Sequence, residues 1–278
     1  MGLLPPRTLA ILGKGIGTFA FQLANSRRKI CIRNLALCFP HLTTAQVTRR
    51  AKAHFRAYGQ AMLEHAFLWR GDKQSIRNYV RITGEHLWRE HVGKRPIIWL
   101  CPHFVGLDHV GIRITCNDHG ASMYSTQSNP QIDAMIRAGR ERFGNATLFT
   151  RQDGIRPVIR ELKKGVPFFY LPDMDFGAKD SVFVPFFGVQ AATITGLSRL
   201  CAMTNAVVVP VIALQNKNGG YDAKFYPAWE NFPSGNDEAD ALRLNQFIEA
   251  RVLEAPEQYL WTHRRFKTRP PGENSVYG

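Results

Sequence analysis

Strand-type runs and helical stretches alternate through the middle of this chain, and that alternation restricts the fold more than any other feature. PIIWLC (96–101), ASMYS (121–125), ATLF (146–149), VPFFYL (166–171) and AVVVPVIAL (206–214) are short, apolar runs suited to buried strands. Helical stretches fall between them, at 104–119, 131–143, 154–164 and 191–204. Strands this uniformly apolar must be covered on both faces, and helical crossovers produce parallel pairing. The expectation is an α/β fold: a single domain with a largely parallel central sheet flanked by helices. YDAKFYPAW (221–229) reads as a later, more exposed strand, and 236–255 as a closing helix. Ahead of the sheet, Val47, Ala51, Phe55, Tyr58, Met62, Ala66 and Trp69 recur at helical spacing over 44–70, with Thr43 or Thr44 as cap.

The N-terminus adds a second feature. Residues 8–24 are apolar and Gly-rich apart from Lys14, barely the length of about 20 residues that crosses a bilayer. Arg27, Arg28, Lys29 and Arg33 follow at once. Two readings stay open. The segment can lie in a membrane interface with its cations toward anionic headgroups, or pack on the protein's own core. The domain expectation is an N-terminal helical membrane-associating segment over residues 1–33 and one folded domain over 34–278. A secretory signal is not expected, because no small-residue cleavage site follows the apolar run.

The formal net charge of +14 implies an anionic partner, which is nucleic acid, a membrane surface or an acidic substrate or carrier. The basic residues are dispersed and form no recognisable reading module, which argues against nucleic acid. Hydrophobic content of 45% with 21% charged residues excludes a disordered chain and a polytopic membrane protein. The five cysteines include no C-x-x-C pair, so neither a disulfide framework nor a zinc site is expected. Cys101 and Cys201 lie in apolar runs and read as core.

In parallel sheets, ligands bind beyond the carboxyl ends of the strands. His103 falls there, directly after IIWLC and the strand-stopping Pro102. With a helix beginning near Phe104, Asp108 lies about one turn in. A carboxylate so placed can hold one tautomer of His103, which then takes a proton from a hydroxyl. The first amides of the helix can stabilise an oxyanion. The competing reading is a plain helix start with one surface carboxylate. H-x-x-x-x-D alone does not decide between them.

Further segments bear on the choice. They are NLALCFP (34–40), GRERFGN (139–145), PDMD (172–175), VFVPFFG (182–188) and YLWTHRRFKTRP (259–270). Together with H-x4-D, they make the chain resemble the bacterial lipid A biosynthesis acyltransferases, within the lysophospholipid acyltransferase superfamily, from about residue 5 to 273. The resemblance implies that His103 is the general base and Asp108 its partner. It implies substrate-binding roles for Arg140, Arg142, Asp173, Asp175 and Arg264; Phe186 and Phe187 are candidates for lining an acyl groove, with core packing as their default reading. It further implies an acyl carrier protein thioester as donor and a 3-hydroxyacyl hydroxyl on a lipid A precursor as acceptor. No metal, no cofactor and no covalent acyl-enzyme is expected. The implied location is the cytoplasmic face of the cell inner membrane. The alternatives are another lipid acceptor (a glycerolipid, an ornithine lipid or a glycolipid) and, more remotely, a non-catalytic nucleic-acid-binding protein.

Overall fold

The computed structural model describes residues 4–217 and 219–277. Helices α1 (Pro6–Leu23), α2 (Asn25–Cys38), α3 (Thr44–Leu68) and α4 (Lys73–Tyr79) precede strand β1 (Val80–Thr83). The α/β part continues with α5 (His86–Arg89), β2 (Ile97–Leu100), α6 (Leu107–Thr115), β3 (Gly120–Tyr124), α7 (Pro130–Glu141) and β4 (Ala146–Thr150). Then come α8 (Arg156–Lys163), β5 (Phe168–Tyr170), β6 (Ser181–Phe186), β7 (Val189–Ile194), α9 (Gly196–Thr204), β8 (Val207–Gln215), β9 (Tyr221–Phe225) and α10 (Asp237–Glu254).

Among the described residues, seven strands form one sheet in the order β1-β9-β8-β2-β5-β3-β4. Every neighbouring pair is parallel except β8–β9. The largely parallel α/β expectation therefore holds. Strand side chains alternate between two cores. Ile98, Leu100, Ala121, Phe168 and Val208 pack with Val158, Leu162, Leu197, Leu200, Leu244 and Ile248 from α8, α9 and α10. Ile97, Trp99, Val207 and Val209 pack with Trp88 of α5 and with Val110 and Ile114 of α6. Cys101 and Cys201 are buried, as expected of core residues.

Three elements depart from the sequence reading. The helix expected from 104 starts at Leu107. The stretch 191–204 is helical only from Gly196, because its first residues pair antiparallel with VFVPFF. Phe187 and Gly188, both at positive φ, make the two-residue turn of that hairpin. VRIT (80–83) becomes β1 because parallel pairing with β9 gives it a partner that no local pattern announces. The helix expected over 44–70 spans Thr44–Leu68, and Thr43 and Gln46 close its start as a reciprocal capping box.

Helix α1 packs against α3 at backbone distance. A Cβ on Gly17 would lie 2.1 Å from the Phe55 carbonyl oxygen, and one on Gly59 2.5 Å from that of Gly13. Leu9, Ala10 and Phe21 are buried on this side. The opposite side presents Ile11 at 72% and Phe19 at 65% exposure, beside Leu12, Ile16 and Leu23. One face of the segment is therefore core. No helix among the described residues is long and apolar enough to cross a membrane. Residues 1–3 of the expected 1–33 segment lie outside the described residues, and α2 runs unbroken across residue 33.

Candidate active site

The parallel register of β2 and β5 sets Leu100 opposite Tyr170, and the Cys101 amide donates to the Tyr170 carbonyl at 2.9 Å. His103 and Asp173 each lie three residues further on, so they leave adjacent strand ends side by side. His103 Nδ1 is 2.7 Å from Asp173 Oδ1, and the His103 amide donates to both carboxylate oxygens, at 3.0 and 3.2 Å. Asp173 is only 1% exposed. Burial alone would raise its pKa; the charge of His103 and its hydrogen bonds reverse this and hold the carboxyl down at about 2. An ionised carboxylate only accepts, so Nδ1 carries the proton and Nε2 is left as the basic nitrogen.

Asp108 takes a different position from the one expected. Its Oδ2 accepts from His65 Nε2 at 3.0 Å, and its Oδ1 from Arg140 Nε at 2.9 Å and Nη2 at 2.8 Å. Burial opposes its ionisation, but the charges and hydrogen bonds of Arg140 and His65 push its pKa far below the usual carboxylate range. Among the described residues no hydrogen bond joins Asp108 to His103, so the expected pair is replaced by His103–Asp173. The reason lies in the turn between them. Gly106 presses on β8 so closely that a Cβ would sit 2.3 Å from the Ala213 carbonyl oxygen. Helix α6 therefore starts after it and aims Asp108 at α3 and α7. The expected amide cradle is also largely occupied. The amides of Phe104, Val105 and Leu107 donate to the carbonyls of Pro102, Gln258 and Phe104.

The remaining expected residues separate into one at the cavity and several that tie the fold together. Arg140 lines the same cavity as His103 and Asp108. Arg142 donates to the Leu68 and Gly71 carbonyls, at 3.1 and 2.6 Å, and closes the end of α3. Asp175 accepts from the amide and hydroxyl of Thr268, each at 2.7 Å, and pins its own loop to the C-terminal segment. Arg264 is exposed and lies over the Tyr277 ring, and it is not among the residues lining the cavity. Phe186 and Phe187 follow their default reading: they pack in the core with Phe39, Tyr259 and Trp261 and do not line the cavity. His65 was not anticipated. Its only signal was a Glu-His pair at 64–65 on the long helix, matched by Asp-His at 108–109.

His103, Asp108 and Arg140 border a cavity of about 900 Å³. Trp99, Ile112, Met123, Leu148, Phe169 and Met174 supply apolar wall around this polar group. A largely apolar chamber with one imidazole at its wall, and the guanidinium groups of Arg140, Arg151 and Arg199 around it, suits a fatty chain carrying a reactive carbonyl.

Residues 1–268 match the sequence model of a family described as bacterial lipid A biosynthesis acyltransferase. The chain belongs to this family. As a lipid A acyltransferase family member it is an acyltransferase enzyme. The Escherichia coli K12 lipid A biosynthesis lauroyltransferase is 35% identical over 277 residues, covering 99% of this chain and 90% of the relative. The palmitoleoyltransferase of the same organism is 32% identical with the same coverage. Its myristoyltransferase is 31% identical over 280 residues, covering 100% and 86%. A solved 1-acyl-sn-glycerophosphate acyltransferase from Thermotoga maritima aligns with a TM-score of 0.41 and 14% identity, over 92% of this chain and 99% of that one.

Proposed function

We propose that the protein performs a late acylation of lipid A, moving a fatty acyl group from an acyl carrier protein thioester to the hydroxyl of a 3-hydroxyacyl chain on the precursor. The observation that carries this reading is His103 at the wall of an apolar cavity, oriented from behind by the buried Asp173. His103 Nε2 takes the hydroxyl proton as the oxygen attacks the thioester carbonyl. The C–O bond forms, the C–S bond breaks, and the proton passes to the departing sulfur. The products are an acyloxyacyl ester and a free thiol. Asp173 keeps the tautomer and stabilises the transient imidazolium. Arg140, held by Asp108, supplies positive charge for the developing oxyanion or an acceptor phosphate. Asp175, Arg142 and Arg264 are assigned to shaping the protein around this centre.

The N-terminal segment over residues 1–33 is read as the membrane-associating part and 34–278 as the catalytic domain, at the cytoplasmic face of the inner membrane. The outward apolar row of α1 supports this. So do the exposed Lys14, Arg49, Lys52 and Arg56 around a second, shallow cleft of about 410 Å³. The same basic surface suits an acidic carrier protein. The test is mass spectrometry of lipid A from cells with and without the protein, paired with transfer from an acyl carrier protein thioester by the purified enzyme. A missing secondary acyl chain and its restoration in vitro are expected. Unchanged lipid A would end this reading and turn attention to another lipid acceptor.

A further inference from the structure

Two carboxylate–histidine pairs cross between α3 and α6. Glu64 and His65 are adjacent on α3; Asp108 and His109 are adjacent on α6. Glu64 takes His109 at 3.2 Å and Asp108 takes His65 at 3.0 Å. The Glu64 pair is sealed: both side chains are fully buried, and Glu64 also accepts from Tyr79 and Tyr221 at 2.5 and 2.6 Å. The His65 pair reaches the cavity through Asp108.

His65 has an unusual set of neighbours. Its Nδ1 lies 2.9 Å from the Ala61 carbonyl and 3.3 Å from that of Met62, and its Nε2 faces the Asp108 carboxylate. All of these are acceptors, because Asp108 is kept ionised by Arg140. A neutral imidazole can donate from one nitrogen only, so the second contact would set a lone pair against an oxygen. We infer that His65 is a standing imidazolium whose charge, with that of Arg140, leaves the Asp108 cluster net positive beside the cavity, making His65 a positioning residue for the acyl transfer proposed above. With both cations present the three charges sum to +1, and loss of the His65 proton brings the sum to zero. Neutral Asp108–Arg140 would offer a developing oxyanion far less attraction.

The other groups facing the His65 ring are few. From α6 come Asp108 and, at a ring separation of 6.2 Å, His109. Arg140 of α7 stands behind Asp108, and Trp69 of α3 lies at 5.1 Å. Burial favours the neutral ring, but the hydrogen bond and charge of Asp108 outweigh it, so the pKa rises above its ordinary 6.5. A raised pKa means that the charge is complete at low pH and is lost as pH rises through the folded value. The transfer rate is therefore expected to carry a basic limb from His65 in addition to the acidic limb from the general base.

The experiment compares wild type and His65→Gln. The glutamine amide can donate to Asp108 but cannot titrate. Over about pH 5 to 10 wild-type kcat/KM is expected to be bell-shaped. His65→Gln should lose the basic limb, keep the acidic one and fall in kcat by roughly tenfold, less than a donor touching the oxyanion would cost. A basic limb unchanged in His65→Gln, or absent from wild type, overturns the inference. Should His65→Gln fold poorly, ring nitrogen NMR of histidine-labelled wild type decides: two protonated His65 nitrogens at neutral pH support it, and a neutral ring overturns it. The inference rests on the acyltransfer reading only for its rate effect. A wild type that transfers no acyl group yet shows the charged ring would sink that reading and leave the cation assignment standing.

Discussion

His103 and Asp173 are 70 positions apart in the chain and 2.7 Å apart in space, because they leave the ends of neighbouring parallel strands in register. The same carboxylate also receives the His103 amide, so it fixes both the ring and the backbone that carries it. Asp108, only five residues away in sequence, serves a separate cluster with His65 and Arg140.

Replacing His103 by alanine removes the proposed base from the cavity wall. Acyl transfer should fall by about 10²–10⁴-fold, the range typical of general-base loss, while the circular dichroism spectrum is retained. Turnover within twofold of wild type would mean that another group takes the proton.

Asp173→Asn tests the orienting role. The asparagine amide would donate toward Nδ1 and favour the opposite tautomer, which places the proton on Nε2, where the base is needed. A fall of roughly 10²–10⁴-fold in kcat is expected. Asp108→Asn leaves the His103–Asp173 pair intact and should spare more of the rate. If Asp108→Asn proved the more damaging in kcat, the orienting role would belong to Asp108 after all.

Arg140 grips Asp108 through two nitrogens. Arg140→Ala should lower kcat/KM by about 10²-fold, and Arg140→Lys should recover only part of that, because a point charge cannot reproduce the fork. Full recovery by lysine would show that charge alone suffices.

The folded Asp173 pKa of about 2 sits below its ordinary 3.8, so its contribution to stability is complete above about pH 4 and is lost as pH falls toward 2. At neutral pH it amounts to about 2 kcal/mol. Denaturant melts of wild type are expected to weaken across that window, with Asp108 adding loss in the same direction. Asp173→Asn should be less stable at neutral pH and lose less on acidification. Parallel acid profiles for the two proteins would contradict the assignment.

Deleting α1 would strip α3 of its packing partner, so outward substitutions test the membrane face more cleanly. Ile11→Ser with Phe19→Ser should weaken partition onto anionic vesicles by roughly 10²-fold, taking about 1.5 kcal/mol for each side chain withdrawn from the interface. Thermal stability should be unchanged, since both residues are exposed. Equal vesicle binding by the variant would locate the attachment elsewhere.

Local pattern sufficed for most of the alternating elements, since the apolar runs and helical spacings follow from neighbours in sequence; the start of the 191–204 stretch, which pairs as a strand, it did not give. It also placed His103 at a strand end, because Pro102 stops β2 whatever surrounds it. The motifs that carry the family resemblance are local in the same way. Which strands lie beside β2 is a different kind of question. The order β8-β2-β5 arises from burying both sheet faces at once, and nothing near residue 103 encodes it. That order, not the five-residue spacing, gave His103 its carboxylate. The close seat of Gly106 on β8 then turned Asp108 toward α3 and α7, where it met His65 and Arg140. Spacing along a chain restricts what two side chains can reach, but a turn's packing against a distant strand decides what they touch.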